Sequence, residues 1–159
     1  MSHMNAIPPP APRSQAQTLS RLLGLGAAGP MPLMAAVETG LSLAALDRVA
    51  HSLAPGDRSF VYRLVSRPTL MRRRRAHASA KRSAEARLSA AEGARLARLA
   101  SVWGLALEAW GSEAEARRFM FAAHPMLEGR APIDIVLESE LGRPVVEGIL
   151  GRLIYGSAA

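Results

Sequence analysis

Apolar residues recur every three or four positions in one segment after another, the spacing of helices that bury a single face. The pattern predicts a short helix over 32–39 closed by Gly40. A second follows over Leu43–Leu53, capped by Ser42, with Leu43, Leu46, Val49, Ala50 and Leu53 on one side. Pro55-Gly56 breaks it, and Asp57 or Ser59 starts another helix through Val65. Arg67-Pro68-Thr69 makes a tight restart into a helix over 70–76. The longest helix is predicted over 89–110, where Ser89 and Glu92 form a capping box and Leu96, Leu99, Trp103, Ala106 and Trp110 share a face. Both tryptophans read as packing residues. Ser112 and Glu115 repeat the box and open a helix to about residue 123, with Phe119 and Met120 inward and His124-Pro125 as its end.

The last thirty residues hold two more helices. Pro132 and Pro144 each suit a first helical position, where a missing N–H costs nothing, and Gly142 separates the two. In the second, Val145, Val146, Ile149, Leu150, Leu153 and Ile154 form a wide apolar stripe of the kind that faces a core. Gly148, Gly151, Arg152 and Tyr155 form a different face. Two interior glycines cost roughly 0.8–1 kcal/mol each against alanine, so another backbone is expected to come close there. Either a neighbouring helix of the same chain does so, with Arg152 solvated, or another molecule does.

Composition narrows the function. Hydrophobic residues make up 49% of the 159, too many for a fully disordered chain, and 4% aromatics with abundant Ala and Leu favour helix over sheet. The absence of cysteine removes disulfides, thiolate metal sites and thiol nucleophiles. Net charge is +7 but unevenly spread: residues 58–98 carry twelve Arg or Lys against two Glu, whereas 108–147 carry eight acids against four Arg. Two surfaces with different partners are expected, one of them a polyanion. The segment 1–18, with Pro8, Pro9, Pro10 and Pro12, reads as a disordered tail whose Ser2-His3-Met4 resembles a cloning scar. Neither a signal peptide nor a membrane span is predicted, and a cytoplasmic location is expected. Gly24-Leu-Gly26-Ala-Ala-Gly29 matches a dinucleotide-binding string, but Leu19 to Leu23 before it reads as helix and prolines follow, so it reads as a flexible linker.

Two short helices, a brief turn and a basic helix match a helix-turn-helix in outline. Arg72, Arg73, Arg74 and Arg75 wrap all sides of a helix, so at most two face one groove. Thr69, Met71, Arg72 and Arg75 are the candidate base readers, with Arg67, Arg73 and Arg74 on phosphates. The alternative is a solvated basic helix with no ligand. Residues 77–86 read as a loop or frayed helix. The histidines lie far apart without metal spacing, there is no Gly-x-Ser-x-Gly elbow, and Glu138 and Glu140 do not share a helical face. Neither an enzyme, a cofactor nor a metal is therefore expected.

The C-terminal motifs carry a resemblance. Leu127-Glu-Gly-Arg130-Ala-Pro132-Ile-Asp134, then Leu141-Gly-Arg143-Pro-Val-Val146-Glu-Gly-Ile-Leu150-Gly151-Arg152-Leu-Ile-Tyr155-Gly156, is similar to the toxin-binding domain of Xre/MbcA/ParS antitoxins, partners of RES-domain toxins. The similarity extends back to about Pro32. It implies an all-α fold: a helix-turn-helix-like DNA-binding and dimerisation domain over 19–86 and a small helical toxin-binding domain over 87–159. It implies a type II antitoxin that covers the NAD cleft of a toxin consuming NAD or ADP-ribosylating with it, and that autoregulates by binding operator DNA. A homodimer and a higher toxin–antitoxin assembly are expected. Arg130, Arg143, Gly151, Arg152, Tyr155 and Gly156 fall on the motif and Gly148 joins them from its place on the helix, so these seven are the expected toxin contacts. The competing reading is a solitary helix-turn-helix regulator whose C-terminal domain only dimerises.

Overall fold

A computed structural model describes residues 15–79 and 86–156. The rest of the expected tail and most of the expected 77–86 loop lie outside the described residues. The helix on which the others pack is α5, Ala90–Trp110. Its capping box forms in both directions: the Ser89 hydroxyl accepts from the Glu92 N–H at 3.3 Å, and the Glu92 carboxylate accepts from the Ser89 N–H at 2.8 Å. Leu96, Leu99, Ala100, Val102, Trp103 and Ala106 are fully buried on several of its sides, because α5 is surrounded. The helices α1 (Gln15–Leu23), α2 (Pro30–Thr39) and α3 (Leu43–Leu53) pack on it from one half of the chain. From the other half come α6 (Glu113–Phe121), α7 (Pro132–Glu138) and α8 (Gly142–Tyr155). The basic helix α4, Arg67–Ser79, lies between α3 and α5 in sequence.

One hydrophobic core runs through both halves. Side chains also tie them together. Arg63 meets Asp134 at 2.5 Å, Arg95 donates to the Leu64 carbonyl at 3.3 Å, and Arg98 donates to the Val136 carbonyl at 3.1 Å. Burial by itself disfavours the Arg98 charge and lowers its pKa, with Glu140 pulling the other way. The expected division at 86/87 is thus no gap in packing. Among the described residues no helix is long and apolar enough to cross a membrane.

Several local expectations are corrected. α1 begins inside the segment read as tail, and Thr18 is buried. The Gly24–Gly29 string is a held turn: Gly24 adopts φ 68°, and the Ser20 hydroxyl lies 3.2 and 3.1 Å from the carbonyls of Leu25 and Ala27. Only a four-residue 3-10 turn, Phe60–Arg63, stands where a helix through Val65 was predicted. Asp57 accepts from the Ser59 N–H and hydroxyl, fixing a turn just before it. Ser112 caps α6 by accepting from the Glu115 N–H at 3.2 Å, but the Glu115 carboxylate pairs with Arg118 at 3.1 Å. Trp103 is buried and donates to the Ser52 hydroxyl at 2.8 Å, while Trp110 is 39% exposed and leans on Phe119.

Candidate functional site

Helix α8 starts at Gly142, with Pro144 inside the first turn, so Gly142 begins the helix. A Cβ there would overlap the Ile135 carbonyl, so glycine lets the start of α8 sit against α7. Val146, Ile149 and Leu150 are buried, but two members of the expected apolar stripe turn outward and a third is only partly covered. Val145 is 50% and Leu153 42% exposed, and Ile154 is half-buried. Leu141, Val145, Gly148, Arg152 and Tyr155 follow each other at alternating steps of four and three, which places them on one exposed face. Leu141 is 78% and Tyr155 75% exposed.

The glycines on this face stand open. A Cβ at Gly148 or Gly151 would meet nothing within 4 Å, so among the described residues no helix uses the close approach they permit. Arg152 donates from Nε to the Gly148 carbonyl at 3.2 Å and has no acidic partner among the described residues. The exposed Gly156 closes the helix, its N–H bonded to the Arg152 carbonyl.

Arg130 sits beyond the helix's N-terminal end. His124 and Arg130 form an isolated bridge, and Glu128 (φ 55°) and Gly129 (φ 78°) turn the chain between them. The Nδ1 of His124 accepts from the Met126 N–H at 3.2 Å, so His124 caps this loop. Arg130 pairs with Glu138, and that hydrogen bond, aided by the charges of Glu138, Asp134 and Glu128, holds its pKa above the ordinary value. The guanidinium borders a cleft of about 390 Å³ that Met126, Ile135, Leu141 and Val145 also line. Arg143 pairs with Glu147 at 2.7 Å, half a turn round the helix from Arg152. The structure thus gathers Gly148, Gly151, Arg152, Tyr155 and Gly156, places Arg130 near one end and leaves Arg143 aside. Sequence reasoning missed Leu141, Val145 and Met126. The first two continue the glycine strip's own spacing, a signal that was available.

The basic helix is divided. Arg73 meets Glu92 at 2.5 Å and Arg74 meets Asp47 at 2.6 Å, so two of the three expected phosphate contacts are engaged within the chain. Thr69, expected to read bases, is half-buried and accepts from the Ser66 hydroxyl at 2.9 Å. Arg67, Arg72 and Arg75 are exposed and, with Pro68 and Met71, line a cleft of about 460 Å³. Arg67 lies 5.6 Å from the centre of the Tyr62 ring.

Helix α8 thus turns Gly148, Arg152 and Tyr155 to solvent beside a cleft with an apolar lining, and arginine and tyrosine are residue types enriched at binding hot spots. Residues 105–156, which span the end of α5 and all of α6, α7 and α8, match the model of the antitoxin Xre/MbcA/ParS C-terminal toxin-binding domain. A search of curated proteins found no match.

Proposed function

We propose that the chain is a type II antitoxin whose partner is a RES-domain toxin that hydrolyses NAD or transfers its ADP-ribose. The observation that carries this reading is the open glycine strip of α8, inside the segment that matches a toxin-binding family. In this mechanism α8 lies across the toxin's NAD cleft and keeps the dinucleotide out. Gly148 and Gly151 let the helix backbone come close, because no side chain stands between. Arg152 exchanges a bond to its own helix for a carboxylate of the pocket, and a charge-assisted fork is the stronger contact. Tyr155 stacks where a ring of the cofactor would sit, burying an aromatic face that is now mostly wet.

A second surface supports operator binding. Here α3, the Phe60–Arg63 turn and α4 act as the helix-turn-helix, and Arg67, Arg72 and Arg75 hold phosphates. A homodimer would present two such helices to two half-sites.

A RES-domain reading frame beside the gene would support this reading, and the test is co-expression with that toxin. The Arg152→Ala, Tyr155→Ala double variant should fail to protect, seen as growth arrest and a fall in intracellular NAD. A chain ending at Leu141 should fail as well. Full protection by the double variant removes both residues from the mechanism. The solitary-regulator reading gains instead if the wild-type chain and that toxin do not co-purify.

A further inference from the structure

The mechanism above leaves one feature of the toxin-binding segment unused: the cleft between the 126–130 loop, the end of α7 and the start of α8. Its lip is apolar and wet. Met126 is 54%, Leu141 78% and Val145 50% exposed, three large side chains around one hollow of about 390 Å³. Scattered apolar residues on a surface need no explanation, but a cluster framing a cavity does. The rim is acidic. Glu128 and Glu138 line the cleft against the single cation Arg130, and Asp134 is already paired with Arg63. The local balance is therefore one negative charge in excess, in the acidic half of a chain that is otherwise basic.

We propose that this cleft is a socket for the toxin. It takes an apolar side chain of the partner that is flanked in its own sequence by lysine or arginine. The apolar group enters between Met126, Leu141 and Val145, and the flanking cation meets Glu128. The occupant's charge follows from the rim. Its source follows from continuity: Leu141 and Val145 begin the stripe that runs on through Gly148 and Arg152, so a partner seated on the glycines also passes over the cleft. The identity of the occupant rests on the toxin-binding reading of α8; the chemistry of the socket stands on the cleft itself. Contact then runs in both directions, and a partner carrying an acid at that position is rejected.

The test uses the full chain labelled with ¹⁵N and two probes, acetyl-Lys-Leu-Lys-amide and acetyl-Glu-Leu-Glu-amide. The lysine peptide should shift the amides of Met126, Glu128, Leu141 and Val145 saturably, with half-saturation at about 1–10 mM. The glutamate peptide should bind at least about fivefold more weakly, because its charges meet like charges. Leu141→Ser, at an exposed position, should abolish the shifts while leaving the circular dichroism spectrum unchanged. Equal response to both peptides, or no saturable shift at these residues, overturns the proposal. So do shifts of the same amides on dilution alone, which would assign the cleft to a second copy of this chain. The Arg152→Ala, Tyr155→Ala variant should bind the lysine peptide as the wild type does, which separates the two ideas. Peptide binding beside a failed neutralisation test removes the toxin as occupant and keeps the socket's chemistry. Neutralisation without peptide binding removes the socket.

Discussion

Replacing Gly148 and Gly151 together by alanine should have opposite effects on the free chain and on its complex. Both glycines lie within α8, neither has a positive φ, and an added Cβ at either meets open space. Alanine is favoured over glycine in a helix interior by about 0.8–1 kcal/mol. Gly151 is close to the frayed end and should yield less, so the pair should stabilise the chain by about 1.5 kcal/mol. For a chain of 159 residues that raises the melting temperature by about 3–6 °C, readable by circular dichroism. In the complex the same two methyls stand where the toxin's surface should be. Overpacking typically costs about 1–3 kcal/mol at each site, so affinity should fall by about tenfold or more. Growth with the toxin co-expressed reports the loss. A lower melting temperature would mean that part of this chain packs on the strip. A higher one with undiminished protection would mean that the glycines serve no partner.

Gly142→Ala should behave in the reverse way, losing about 3 kcal/mol or more of stability because its Cβ collides with the Ile135 carbonyl; the urea midpoint measures it. Glu92 supplies a pH test. Burial is the largest single influence on its carboxyl and opposes ionisation, but the bonds from Arg73 and Ser89 together outweigh it and hold the pKa below 4.5. A carboxyl lowered in the folded state stabilises above its unfolded pKa and loses that contribution as pH falls through the folded value. Denaturation midpoints of the wild type should therefore drop more steeply below pH 4.5 than those of Glu92→Gln. On operator DNA, Arg72→Ala with Arg75→Ala should make the log–log salt slope shallower by about 1.8, at about 0.9 per lost phosphate contact. Arg73→Ala should leave that slope unchanged and lower the melting temperature, since Arg73 is held by Glu92.

Helices bounded by a strong local signal were legible. Ser42 marks the start of α3, and the Ser89–Glu92 box marks that of α5, because a cap is a contact between near neighbours in sequence. What depends on distant partners was not. A run of four arginines does not reveal that Arg73 is taken by Glu92, or that Arg74 is taken by Asp47. Gly142 looks like a helix breaker until the Ile135 carbonyl is in place beside it. At the candidate site the glycine strip was legible but its apolar members were not. Periodicity alone does not separate a side chain turned to the core from one at the edge of the stripe turned to solvent, so Val145 was counted with Val146 although only the latter is buried.

The central position of α5 ties the fates of the two surfaces. A fragment starting at Leu105, where the family match begins, leaves behind Leu96, Leu99 and Trp103, on which its neighbours rest. Cutting the chain within that helix would therefore not release a smaller fragment with its core intact. If α8 and α4 carry the two proposed contacts, a single proteolytic event there should end both together, giving them one shared lifetime.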